Sequence, residues 1–156
     1  MNIWIDADSC PSMVRNHAAK IANKNNITIY FVANREIPLD SNFSRKMIIC
    51  KQEKDAADNY ILSNCEKNDL IITKDILFAK KLVKKNITCI NDRGIKFTKD
   101  SISELCAKNT LDSQLEEIGL VKHYHEEYDK KKFTLFANCF DRELQRLLSK
   151  EKNEEK

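Results

Sequence analysis

The sequence predicts an α/β protein: an open, mostly parallel sheet with helices between its strands, completed by a C-terminal amphipathic helix. Three observations predict it. Five short apolar runs are near-continuous rather than alternating, as in strands buried on both faces. Segments with helical apolar spacing lie between most of them, in the order β-α-β-β-α-β-α-β. Carboxylates follow several of the runs, and in a parallel sheet such strand ends share one edge.

Taken in order, the first run is Ile3-Trp4-Ile5, which stops at Asp6. Pro11 suits a first helical turn, and Met13, Val14, His17, Ala18 and Ile21 recur at helical spacing. Residues 27–33 are a longer β-branched and aromatic run, 34–46 a polar loop, and 47–50 a third strand. Residues 54–66 carry Ala57, Ile61, Leu62 and Cys65 on one stripe, and 70–73 form the fourth strand. Ile76, Ala79, Leu82 and Val83 mark a helix over 76–85, and 87–90 is the fifth strand. Residues 101–107 and 110–119 read as two short helices, the second stopped by Gly119. From about 129 to 149, Phe133, Phe136, Ala137, Phe140, Leu144, Leu147 and Leu148 make a strong amphipathic helix that packs back on the sheet. The expected organisation is a single domain over 1–149 with a charged tail, 150–156, that frays.

Composition narrows the function classes. The chain has 156 residues and 18.2 kDa, room for one compact domain. With 2 Gly and 2 Pro it cannot build G-x-G-x-x-G or a P-loop from Gly94 and Gly119. No apolar stretch approaches the length of a membrane span, and the N-terminus lacks a basic region before an apolar one. The 6 cysteines are widely spread with no C-x-x-C, so a zinc ribbon and a thioredoxin-like motif are excluded. Reduced thiols in a cytoplasmic protein are the simplest account. The net charge of +3 is too mild to indicate a nucleic-acid partner by itself. Lysines nevertheless gather at Lys80, Lys81, Lys84 and Lys85, and again at Lys130, Lys131 and Lys132. Such runs are usually solvated faces and sometimes phosphate contacts.

The acids carry most of the functional information. Asp6 and Asp8 follow the first run, Asp75 the fourth and Asp92 the fifth, while Asp55 and Asp58 open the helix after the third. Each has a plain structural reading. Asp8 and Asp75 sit where helix caps belong, Asp55 favours a positive helix N-terminus, and Asp92 precedes Gly94 in a turn. Asp58 shares the inward stripe of Ile61 and Leu62, where a carboxylate needs a cation or donors to face. Carboxylates converging on one edge repel, and a hard divalent ion, Mg²⁺ or Mn²⁺, relieves that. His17 lies on an apolar stripe and reads as a core or edge residue; His123 and His125 do not by themselves make a metal site. Cys10, at a helix N-terminus but beside several acids, reads as a packed side chain rather than a nucleophile.

Taken together, Asp6-Ala-Asp-Ser-Cys-Pro11, Val32-Ala-Asn34, Asp55-x-x-Asp58-Asn59, Ile72-Thr-x-Asp75, Asn91-x-Arg-Gly94 and Asn138-x-x-Asp141-Arg142 form a pattern. It resembles the YaiI/YqxD family of bacterial proteins, itself similar to the PIN-domain-like superfamily, over about residues 1–148. The resemblance implies a PIN-like fold, three-layer α/β/α with a mostly parallel central sheet. It also implies that Asp6, Asp58 and Asp75 take the places of a nuclease's acids, with Asp8 and Asp92 as added metal ligands and Asp55 a weaker one. Leu77-Phe78 stands where a Pro-Leu pair is expected, a matter of helix packing.

Two classes of function follow. One is a nuclease dependent on Mg or Mn that acts on RNA, with Asn34, Arg93 and Arg142, and further Arg35 and Arg45, as candidates for phosphate contacts. The other is a non-catalytic module that binds RNA or a protein. A haloacid-dehalogenase-like phosphatase, with Asp6 as nucleophile and Asp8 as general acid, is a further enzyme alternative.

Overall fold

The computed structural model describes residues 1–39, 42–119 and 127–155. Within them the chain runs β1 (Asn2–Asp6), α1 (Ser12–Lys24), β2 (Thr28–Ala33), β3 (Lys46–Ile49), α2 (Ala56–Asn64), β4 (Leu70–Ile72), α3 (Ile76–Lys84), β5 (Thr88–Ile90), α4 (Lys99–Glu117) and α5 (Lys130–Glu154). The five strands pair in parallel in the order β3-β2-β1-β4-β5. Ile5 therefore lies between Phe31 and Ile72, at the centre of the sheet.

Strand pleating sorts the apolar residues into two cores. Ile3, Ile5, Phe31 and Ile72 face α1 and α5, where they meet Val14, Ala18, Phe136 and Phe140. Trp4, Val32, Ile71 and Cys89 face the other way, toward Ile61 of α2, Phe78 and Leu82 of α3, and Ile102 of α4. Both faces of the sheet are covered, as near-continuous apolar strands predict, which gives the three-layer α/β/α arrangement that the resemblance implies. Each fully buried Ile or Phe contributes roughly 1.5–3 kcal/mol.

Two helices stop by the same device. Asn26 and Asn86 adopt left-handed backbone (φ 56° and 58°) just past α1 and α3. The following Ile27 and Ile87 donate their N–H groups back to Ala22 and Leu82, at 2.9 and 3.1 Å. Asn tolerates this conformation, and the isoleucine after it adds an apolar contact to each core.

Two expectations are corrected. Residues 101–107 and 110–119 are not two helices but one, α4, which begins in a reciprocal Thr98–Ser101 capping box and continues through Lys108-Asn109. Weak helix formers such as Asn109 lower propensity without breaking a helix that lacks Gly or Pro. The segment from 150, expected to fray, continues α5 to Glu154. It is fastened there: Glu151 pairs with the Met1 ammonium at 3.0 Å and Glu154 accepts from Asn68 at 3.1 Å. Among the described residues between β2 and β3, none belongs to a named element, and Ile37, 2% exposed, joins the core there. His123 and His125 lie outside the described residues. No helix among the described residues is long and apolar enough to cross a membrane.

The strand order places a crevice. β1 leads through α1 on one face to β2, whereas β4 leads through α3 on the other face to β5. Connections diverge at the carboxyl ends of β1 and β4, the switch point where open α/β sheets receive ligands.

Candidate functional site

Asp6 is the last residue of β1, in register with Val32. Its Oδ2 accepts a hydrogen bond from the Thr73 hydroxyl at 3.1 Å, and Thr73 Oγ1 in turn accepts from the Asp75 N–H at 3.2 Å. One buried threonine thus links the ends of β1 and β4. Asp75 then caps α3, its Oδ1 accepting from Phe78 N–H at 3.1 Å. Asp8 does not cap α1; its carboxylate accepts from the Asn34 N–H at 3.0 Å, tying the turn after β1 to the end of β2.

Asp55 and Asp58 reach the same place from α2. Asp55 is the residue before the helix and has left-handed backbone, φ 61°, with no side-chain cap bond. Asp58 follows in the first turn. One carboxylate oxygen from each of Asp55, Asp58 and Asp75 lies within 4.8 Å of the other two. Asp6, Asp8 and Asn34 line the same cleft, of about 250 Å³.

The electrostatics match that crowding. Asp58 is pushed from 3.8 up to about 7, first by burial and then by the charges of Asp6, Asp75 and Asp55. Asp6 is pushed up to about 6, chiefly by burial, with Asp8 and Asp75 adding to it and the Thr73 hydrogen bond opposing it. These are carboxylates held together by the fold against their own repulsion. An oxygen-only donor set with that spacing fits a hard divalent cation.

Asp92 is buried but faces a separate, water-sized cavity of about 10 Å³, which it shares with Asp6, Cys10 and Thr73. Arg93 is exposed in the turn after β5, where its N–H and that of Ile95 donate to Asn91 Oδ1 at 2.9 Å each. Arg142 is exposed on α5, seven residues past Leu135, whose carbonyl adjoins Gly94; that is about 10 Å farther along the helix axis. Neither arginine lines the cleft. Arg45 is engaged elsewhere, donating to the Ile37 carbonyl at 2.7 Å with its guanidinium over the Phe31 ring. His17 is an interface residue: its ring meets Phe133, Phe136 and Phe140 edge-on and its Nε2 lies 3.3 Å from Asp141. Burial drives the Cys10 thiol pKa strongly upward, opposite to what a nucleophile needs.

The chain matches, over residues 4–146, the family described as "Uncharacterized BCR, YaiI/YqxD family". It belongs to that family. The chain is similar to a UPF0178 protein of Treponema denticola, 38% identical over 148 residues that cover 95% of this chain and 94% of that one. It is similar to another of Psychromonas ingrahamii, 36% identical over 146 residues, covering 94% and 97%. A third, of Treponema pallidum, is 35% identical over 148 residues, covering 95% and 84%. No solved structure matches the chain. The match to the YaiI/YqxD family spans every acid of the cleft.

Two residues at the cleft carry more weight than sequence position gives them. Asp55, the weaker candidate, is a full member of the three-acid group, while Asp6 lies beside that group. Thr73 looks like the last residue of a strand, yet its hydroxyl joins the two acids that flank the switch point. Its only signal is a polar residue ending an otherwise apolar run.

Proposed function

We propose that the protein is a nuclease dependent on Mg²⁺ or Mn²⁺ that acts on RNA, with its reaction centre in the cleft at the ends of β1 and β4. The observation that carries this reading is the group formed by Asp55, Asp58 and Asp75, whose oxygens lie within 4.8 Å of one another beside Asp6. Asp55, Asp58 and Asp75 would hold the ion, and Asp6, fixed by Thr73, would complete the oxygen set from the β1 side. The ion would supply Lewis-acid activation of a phosphodiester and of the attacking water. Asp8, exposed and held by the Asn34 N–H, would add a further oxygen donor from the mouth of the cleft. The cleft opens to solvent, so a phosphate of a polymer can approach without chain ends entering a closed pocket.

The nuclease reading uses the three-acid group; a phosphatase built on Asp6 and Asp8 leaves it without a role. Calorimetric titration of Mn²⁺ separates them. Wild-type protein is expected to bind Mn²⁺, and Asp58→Asn and Asp55→Asn to lose most of that binding. Binding that persists in both variants but disappears in Asp6→Asn favours the phosphatase. No binding by the wild type, with or without an RNA oligonucleotide, overturns the metal centre. Where Mn²⁺ binds, cleavage of labelled RNA that Asp58→Asn abolishes distinguishes a nuclease from a binding module.

A further inference from the structure

A second concavity, of about 390 Å³, adjoins the cleft and shares Asp55, Asp58 and Asp75 with it. Its other wall is basic, formed by Lys54 before α2 and by Lys80, Lys81 and Lys84 of α3. All four lysines are exposed, and none of their side chains makes an ion pair or hydrogen bond among the described residues, although three carboxylates line the same groove. An overall charge of +3 does not require such a patch. Lys80 and Lys84 stand one turn apart, about 6 Å along the axis. That spacing suits successive phosphates of an extended strand.

We propose that Lys54, Lys80, Lys81 and Lys84 form a one-sided track for the backbone of a single RNA strand, which leaves the acidic cleft across α3. Unpaired cations beside repelling acids are what a polyanion needs where one of its phosphates must lie among carboxylates. The track runs on the α2 and α3 layer only; the basic run at Lys130 and Lys131 belongs to α5, on the opposite layer. One extended backbone can follow the groove into the cleft, since the two concavities share Asp55, Asp58 and Asp75. The proposal rests on the nuclease reading for its choice of RNA, but the lysines act in binding, before any cleavage.

The test is fluorescence anisotropy of a labelled ten-nucleotide oligouridine, in EDTA, across a salt series. Lys80→Ala/Lys84→Ala is expected to weaken binding roughly ten-fold and to reduce the log–log salt slope by about 1.4, two phosphates' worth on a single strand. Lys80→Arg/Lys84→Arg should retain wild-type affinity, and Lys130→Ala/Lys131→Ala should leave affinity and slope unchanged. The track is overturned if the alanine pair binds as wild type does, if the α5 pair loses as much, if duplex RNA binds as well as the single strand, or if wild type binds neither. Strand binding that needs the lysines, without cleavage when Mn²⁺ is added, would overturn the nuclease reading alone.

Discussion

Asp69 is 1% exposed and accepts three hydrogen bonds: from Asn2 N–H at 2.7 Å, Trp4 Nε1–H at 2.9 Å and Glu66 N–H at 2.9 Å. It ties β1 to β4 at the end of the sheet opposite the cleft. Removing its carboxylate strands three donors, each costing about 1–3 kcal/mol when buried and unpaired. Asp69→Ala is expected to lower stability by about 3–5 kcal/mol, and Asp69→Asn by less, since one amide oxygen still accepts. Urea unfolding followed through Trp4, the chain's one tryptophan, measures both. A loss under 1 kcal/mol for Asp69→Ala would contradict this role. The contrast with the cleft explains what was legible among the acids. Asp6, Asp58 and Asp75 stand out because each follows a strand or interrupts an apolar stripe. Asp69 precedes its strand and looks like any turn residue. Asp55 looks like a helix-favouring acid until its φ of 61° is known, and backbone handedness at a non-glycine residue leaves no mark in composition or spacing.

At the scale of elements, β1, β2, β4, β5, α1 and α3 follow from apolar periodicity, because each is covered by a core that demands it. α2 and α4 each bury one residue, Ile61 and Ile102, but α4 runs 19 residues against 9, so no continuous stripe reveals one helix rather than two. The role of Asn91-x-Arg-Gly94 was hidden as well. Gly94 has φ 82°, and a Cβ there would overlap the Leu135 carbonyl, so the turn after β5 presses directly on α5. Tyr128 reinforces the junction, its hydroxyl donating to the Asp92 carbonyl at 2.6 Å. Gly94→Ala therefore meets both a left-handed backbone and a clash, and is expected to cost about 2–4 kcal/mol. Among the described residues nothing lies within 4 Å of a carbon added at Gly119, φ 76°, so Gly119→Ala is expected to carry the backbone penalty alone, about 1 kcal/mol. Thermal unfolding of the two variants side by side checks the difference. Equal shifts would mean that the contact with Leu135 yields without cost.

For the whole molecule, the switch point concentrates charge that the fold must hold together, and this makes stability depend on pH in a defined direction. Asp6 and Asp58 bind protons more tightly folded, near 6 and 7, than unfolded, near 3.8. Their penalty is absent below the unfolded value and grows as pH rises through the folded ones, so the metal-free protein loses stability from about pH 4 to 7. Asp6 contributes up to about 3 kcal/mol of this; Asp58 is half-buried, and water screens its share. Glu143 works in the opposite direction. Burial disfavours its charge, but hydrogen bonds from Arg146 at 2.8 Å and Lys96 at 3.2 Å hold it below its ordinary value of 4.5. Its contribution is complete above that value and lost as pH falls through the folded one. Metal-free stability should therefore peak near pH 4, where the loss from Asp6 and Asp58 begins, and fall from there toward 7. Asp6→Asn should flatten the alkaline side of the curve, and Glu143→Gln the acid side. A divalent ion needs the ionised acids, so Mn²⁺ should raise the melting temperature more at pH 8 than at pH 5.5, and Asp58→Asn should lose that gain. Calorimetric scans with EDTA or Mn²⁺ across this range decide it. A metal-free protein as stable at pH 8 as at pH 5 would mean that the cleft's carboxylates are already neutralised by the fold, leaving no electrostatic reason for a cation to bind among them.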